Sequence, residues 1–286
     1  MDIFAYHIDF LANIGMIYAV GGDTVTDLFT HRLNSDTLSF KYTRGCSERS
    51  GKEFHIYYEI ILFLDGNAEF ISENLHMQLK PNSLIVIPRQ EYHQMIIHGN
   101  PENYHRCVLQ FEETPELADL LEKGLKQVQV FEANREIQFL FDRLMQTAKE
   151  DRPHASVLLR SVLILLLDSL LTVRNVTDEE HHQNEIIRTA IQYVNKNLGK
   201  PLKLCHIANA CNISESSLSH IFKKEMYCSV HKFITKKRLI SAYNRIAAGE
   251  TATAVAVDCG FQDYSGFYKQ YKKTFGISPS QKIRTK

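Results

Sequence analysis

Two stretches of this 286-residue chain hold side chains whose types and spacing could do chemistry. The first is His55-x-Tyr57-x-Glu59, then six residues to Gly66, with Asn82, five residues and Pro88-x-Gln90-x-x-His93 further on. Alternate positions of a strand point to one face, so His55, Tyr57 and Glu59 can share a cavity. Three chemistries fit. His55, Glu59 and His93 are donor types for a three-ligand metal site. The same groups can bind a small molecule in a polar cavity mouth, and Arg44 and Arg106 would suit an anionic one if they face inward. They are also what a hydrogen-bonded core would contain. The expectation taken forward is a small-molecule pocket, with no metal and no cofactor.

The second stretch is basic. Residues 185–286 carry 17 Lys+Arg against 6 Asp+Glu, a net +11, while the rest of the chain carries −11, so the formal total is zero. A basic third beside an acidic remainder points to a polyanion-binding module joined to something else. Within it one pattern occurs twice. The first copy runs Leu204, Ala208, Asn212, Ile213, Ser214, then Leu218, Phe222, Lys223, Lys224. The second runs Val255, Ala256, Gly260, Phe261, then Phe267, Tyr271, Lys272, Lys273. The offset is 48 residues before the turn and 49 after it, so the second turn is one residue longer. Each position has a mechanical purpose. A small residue (Ala208, Ala256) lets two helices approach. Four residues on, a residue that tolerates positive φ turns the chain (Asn212, Gly260). An apolar residue then fills the angle (Ile213, Phe261), and Ser214 or Asp263 caps the next helix. This is a duplicated helix-turn-helix, in units 202–225 and 251–275, whose second helices can enter a major groove. Val230–Ala248 reads as a continuous helix between them, about 28 Å long.

Helical periodicity leaves Ser216, Ser217, Ser219 and His220 on the outer face of the first reading helix, and Tyr264, Ser265, Gly266, Tyr268 and Lys269 on that of the second. Base contacts are expected there, with His220 and Lys269 as purine readers. Lys223, Lys224, Lys272 and Lys273 are placed to meet phosphates. Arg238 reads as an internal salt bridge as much as a DNA contact.

The elements that must position the first stretch are strands. Runs at 37–111 are short and rich in β-branched and aromatic residues: TLSFKYT, YEIILFL, AEFIS, SLIVIP, HQMII and HRCVLQF. Turn signals separate them, such as Asp65-Gly66-Asn67 and Pro81-Asn82. The pattern predicts an antiparallel sandwich or barrel, over about residues 20–112. Helices follow at 116–123, 132–149 and 153–173. The last is apolar nearly all round and so packs on more than one neighbour, a second copy of the chain being one candidate. Residues 175–184 are polar and read as a linker between a regulatory domain (1–174) and a DNA-binding domain (185–286). The fold class is thus α+β and multidomain.

Residues 55–93 resemble the two cupin motifs. Metal-binding cupins take two His and a Glu from the first motif and one His from the second. Here Tyr57 stands for a His, Asn82 and Gln90 stand for glycines, and Glu59 comes early. The C-terminal pattern resembles the AraC family of regulators: Ile207-Ala208, Leu218, Phe222-Lys223-Lys224, Arg238-Leu239, Val255-Ala256, Gly260-Phe261 and Phe267 through Pro279 carry the likeness. Tyr227 and Val230 depart from it where Gly and Pro are usual, as does Lys282, where an aromatic is usual. The resemblance implies a regulator, on family grounds an activator, with a sugar or other effector in a cupin-like barrel. Its implied partners are double-stranded promoter DNA, a second copy of the chain in a homodimer, and RNA polymerase. Two competing readings are a cupin isomerase or dioxygenase with an accessory DNA module, and a regulator whose barrel meets a protein. The missing His and the lack of a nucleophile triad or Gly-rich phosphate loop favour a non-enzyme.

Six cysteines without a CxxC pair, and no basic-then-apolar leader, lead to the expectation of a reduced, cytoplasmic protein. The longest apolar run, Val157–Val173, is interrupted by Arg160 and Asp168 and is too short to span a bilayer, so no membrane is expected.

Overall fold

The structure is a computed structural model, and it describes residues 29–35, 37–45, 55–125, 127–150, 154–172 and 184–281. The linker at 175–183, Cys46, Lys282 and the start of the expected barrel at 20–28 lie outside them. The chain divides into two compact units.

Among the described residues the first unit holds nine strands: β1 (Phe29–Asn34), β2 (Leu38–Arg44), β3 (Tyr58–Asp65), β4 (Ala68–Ser72), β5 (His76–Gln78), β6 (Ser83–Ile87), β7 (His93–Ile97), β8 (His105–Phe111) and β9 (Gln129–Glu132). They make a six-stranded sheet, β1-β2-β8-β3-β6-β9, and a three-stranded sheet, β5-β4-β7. All pairings are antiparallel. Among the described residues no ladder joins the two sheets.

The larger sheet is covered on both faces, which is why β3 and β6 read as unbroken apolar runs instead of alternating ones. Ile60, Leu62, Leu84, Val86, Cys107 and Leu109 pack toward α1 (Pro115–Gly124), α2 (Arg135–Glu150) and α3 (Ala155–Leu170). Their neighbours Ile61, Phe63, Ile85, Ile87 and Val108 face Phe70, Met77 and Met95 of the smaller sheet. Strand parity therefore sends Glu59 and Gln110 into the space between the sheets.

Three expectations shift. Two short strands, β5 and β9, go unread, because three or four residues show no period and pairing with β4 and β6 makes them strands. The helix expected from Glu132 starts at Arg135: Glu132 is spent in β9, and the Asn134 side chain accepts from the Ile137 amide at 2.9 Å, capping the helix there. The helix expected over 153–173 is α3, starting after His154 in the left-handed region.

The second unit is helical: α4 (Glu185–Lys196), α5 (Leu204–Ala210), α6 (Glu215–Met226), α7 (Val230–Ala247), α8 (Ala252–Asp258) and α9 (Tyr264–Phe275). Its core takes Ile187, Ile191 and Val194 from α4, Leu218 and Phe222 from α6, Phe233 and Leu239 from α7, and Phe267 and Tyr271 from α9.

Candidate functional site

The helix pairs α5–α6 and α8–α9 are closed by the same hydrogen bonds. In the first, Asn212 has φ 56°, the Ile213 amide donates to the Ala208 carbonyl at 3.1 Å, and the Asn212 amide donates to Asn209 at 3.0 Å. In the second, Gly260 has φ 81°, the Phe261 amide donates to Ala256 at 3.0 Å, and the Gly260 amide donates to Val257 at 2.8 Å. Both turns are Schellman motifs, in which a left-handed residue satisfies two orphan carbonyls at once. Ala208 and Ala256 are buried beneath them. The next helices are capped as the residue types predict: Ser214 accepts from the Ser217 amide at 3.1 Å, and Asp263 accepts from the Gly266 amide at 2.6 Å.

The outer faces follow from what is buried. Leu218, Phe222 and Met226 seat α6, leaving Ser216, Ser217, Ser219, His220, Lys223 and Lys224 exposed. Phe267, Tyr271 and Phe275 seat α9, leaving Tyr264, Ser265, Lys269, Lys272 and Lys273 exposed and Tyr268 half-buried. Two of these positions have local tasks as well. The Ser216 and Ser217 hydroxyls lie 3.0 and 2.8 Å from the Ser214 hydroxyl at the cap. Gly266 is glycine for a packing reason, since a Cβ there would sit 2.9 Å from the Asp263 carboxylate. Gln262 and Gln270 are also exposed beside and on α9. Sequence reasoning passed over both, although a side-chain amide can read adenine bidentately.

The guanidinium of Arg238 is engaged by the backbone and not by a carboxylate. It donates to three backbone carbonyls: Leu198 at 2.9 Å, Lys200 at 2.7 Å and Gly260 at 2.8 Å. A single side chain on α7 thereby ties the segment leading into α5 to the turn of the second helix pair. Gly199 lies in that segment, and a Cβ on it would be 2.6 Å from the Asp258 carbonyl. Arg245, near the end of α7, adds a second tie by pairing with Glu250 and with Asp258 at 2.7 Å. Arg238 thus links the segment before the first pair to the turn of the second, and Arg245 links α7 to α8.

In the first unit, His55, Glu59 and His93 converge. Glu59 enters from β3, His93 from the start of β7 in the other sheet, and His55 from the segment before β3. All three are buried, at 1–4% exposure. The Nε2 atoms of His55 and His93 lie 3.4 and 3.2 Å from Glu59 Oε2. The other carboxylate oxygen accepts from Gln110 Nε2 at 2.7 Å. Burial alone would raise the Glu59 carboxyl, but the two imidazoles outweigh it and hold it well below the ordinary carboxylate range. Tyr57 is buried and stacks on His55 with ring centroids 4.2 Å apart, though neither lies on β3, so the strand alternation expected over 55–59 is not what gathers them. The positions where Asn82 and Gln90 stand for glycines have φ 70° and 68°, the conformation glycine would favour. The Gln90 amide donates to the His55 carbonyl at 2.8 Å, fixing that segment. The metal donor set that was put aside on sequence is thus assembled in space. The two arginines part company: Arg106 is buried and lies over the Tyr104 ring, whereas Arg44 is exposed.

Comparison with known proteins agrees with both units. A family model described as an AraC-like ligand binding domain matches residues 41–167, and one described as a helix-turn-helix domain matches residues 207–285. The chain is 21% identical to the probable transcriptional regulator LumQ of Photobacterium leiognathi over 228 residues, 79% of this chain and 89% of that protein. It is 30% identical to the lactose operon transcription activator of Staphylococcus xylosus over 99 residues, 34% of this chain and 36% of that protein. Among solved structures, an apo ToxT variant from Vibrio cholerae aligns over 87% of this chain and 97% of its own, at 13% identity and a TM-score of 0.39. With a sensor-type β unit and a duplicated helix-turn-helix unit both matched, the chain belongs to the AraC family of DNA-binding transcriptional regulators.

Proposed function

We propose that this regulator grips asymmetric promoter DNA through α6 and α9, acts as an activator, and answers to a small molecule held between the two sheets. The observation that carries the DNA reading is the pair of identically closed turns, each followed by a helix with an exposed polar and basic face, in a segment of net charge +11. The reading residues are Ser216, Ser217, Ser219, His220, Tyr264, Ser265, Tyr268 and Lys269, with Gln262 and Gln270 added. Lys223, Lys224, Lys272 and Lys273 contact phosphates. The α7 rod, about 27 Å long, suits reading helices in successive major grooves, which recur every ~34 Å. The regulatory domain extends to about residue 174 and the DNA-binding domain starts at about 185.

The effector cavity is lined by Tyr57, Arg106 and the His55, Glu59, His93 group, and Arg106 favours an effector with an acidic group. The chain is not an enzyme in this reading, and it works as a homodimer that recruits RNA polymerase. Support for the dimer comes from α3, where Val157, Ile164, Leu165 and Leu171 stay 43–62% exposed.

The test is footprinting on the promoter nearest its own gene. Two protected grooves about one turn apart are expected, with affinity dropping by at least ~10-fold between low and physiological salt. Lys269→Ala should weaken binding and blunt sequence preference. A salt-independent affinity, or a footprint that Lys269→Ala leaves unchanged, counts against the assignment.

A further inference from the structure

The His55–Glu59–His93 group has a chemistry that hydrogen bonding among its members does not explain. His55 Nδ1 lies 2.8 Å from the Tyr57 carbonyl, and His93 Nδ1 lies 3.3 Å from the Glu91 carbonyl. A carbonyl only accepts, so in each ring the proton belongs on Nδ1. A neutral His55 then presents an Nε2 lone pair to Glu59 Oε2, itself an acceptor. Two electron-rich atoms facing each other in a dry interior repel unless positive charge lies beside them, either a second proton on an imidazole or a bound cation. Consistent with this, His55 Nε2 and Glu59 Oε2 are buried without a hydrogen-bond partner among the described residues, a condition that ordinarily costs stability.

We propose that this group binds one divalent transition-metal ion, with His55 Nε2, Glu59 Oε2 and His93 Nε2 as its protein ligands. The spacing fits. A tetrahedral ion with ligand bonds of about 2.1 Å sets neighbouring ligands about 3.4 Å apart, and the two separations to Glu59 Oε2 are 3.4 and 3.2 Å. All three donor atoms lie within 4.8 Å of one another. The surroundings have the character of a support shell. Each imidazole is oriented by a carbonyl on its far nitrogen, and the carboxylate is oriented by Gln110 on its far oxygen, which fixes tautomer and direction. Tyr57 stacked on His55, and Phe70 stacked on His93 at 6.2 Å, hold the rings in place. Two imidazoles and one carboxylate suit zinc, cobalt, nickel or iron and do not suit the oxygen-preferring calcium or magnesium. Because the ligands come from both sheets, the ion would pin one sheet to the other. Three protein ligands also leave a fourth position, available to water or to an oxygen of the effector. The inference deepens the small-molecule reading of this cavity but stands without it, since metal binding is measured with no organic ligand present.

The experiment uses the full chain, stripped with chelator and titrated with Co²⁺ and Zn²⁺ by equilibrium dialysis and absorption. One ion per chain is expected, with the visible spectrum of Co²⁺ in a low-symmetry nitrogen–oxygen site and a rise in melting temperature with Zn²⁺. Glu59→Gln, close to isosteric, and His93→Ala should each lose at least ~10-fold in affinity, and Gln110→Leu should lose ~10-fold through the carboxylate it orients. His76→Ala, which alters the half-exposed group with Glu69 on the smaller sheet, should bind like the parent. Circular dichroism of each variant separates lost ligation from lost fold, and the parent's stoichiometry and spectrum stand independently of the variants. No Co²⁺ spectrum in the parent, or unchanged affinity in both ligand variants, overturns the proposal and leaves protonated imidazoles as the centre that holds the carboxylate.

Discussion

At the scale of single residues, the two turns differ in what they can tolerate. Asn212 sits at φ 56° on the surface, where a left-handed backbone costs a non-glycine residue about 1–2 kcal/mol, somewhat less for Asn. Gly260 has φ 81°, and a Cβ on it would lie 2.7 Å from the Arg238 guanidinium. The equivalent substitutions should therefore have opposite signs. Asn212→Gly should stabilise by up to about 1 kcal/mol. Gly260→Ala should destabilise by about 3 kcal/mol, because it adds left-handed strain and displaces charged hydrogen bonds worth about 1.5–3 kcal/mol each. Denaturant melts of the two variants check both, and equal effects would mean that Arg238 is not the constraint. The turn residues, caps and small helix-contact residues were all legible in the sequence, since each depends on its immediate neighbours. Arg238 was not, because its partners are backbone carbonyls 22 to 40 residues away and a carbonyl leaves no trace in residue type. Gln110 escaped for the same reason, its partner Glu59 being 51 residues away.

At the scale of elements, legibility depended on length and on which faces are covered. The strands β3, β6, β7 and β8 were found where the sequence placed them, as were α1 and the helices of the second unit. Four-residue β9 was missed, and α2 was begun too early in consequence. The near-continuous apolar character of α3 was read as a sign of several neighbours, and one side of the helix does pack on the core through Leu159, Val162, Leu163, Leu166 and Leu170. The other side carries Val157 and Ile164, with Leu171 at the helix end, each seven residues apart, and Leu165 beside them, which makes one stripe along the helix. If that stripe is the dimer contact, Leu165→Glu should give a monomer in sedimentation while leaving the melting temperature of the subunit nearly unchanged, as the side chain is 50% exposed. A dimer that survives the change places the contact elsewhere.

For the whole molecule, a formal charge of zero conceals an uneven distribution, and the +11 of residues 185–286 was the first sign of where nucleic acid would bind. The division into a β-rich unit and a helical unit was likewise legible, from the change of period after Phe111 and the duplicated pattern after Pro201. Sequence reasoning grouped His55, Glu59 and His93 by donor type; what it could not reach was how they meet. The meeting depends on two sheets facing each other and on a segment held by the Gln90 amide, a long-range arrangement that no local spacing encodes.

The guanidinium shared between the entry to α5 and the turn before α9 bears on the genome as well as the protein. Two recognition elements linked in this way are expected to resist sliding or swivelling to suit a stretched site. Base pairs inserted between the two half-elements of an operator would rotate one out of phase by roughly a tenth of a turn each, and nothing in the protein would yield to follow it. Natural targets should therefore share one invariant spacer, and an operator lengthened by five base pairs should be bound only as tightly as a single half-element.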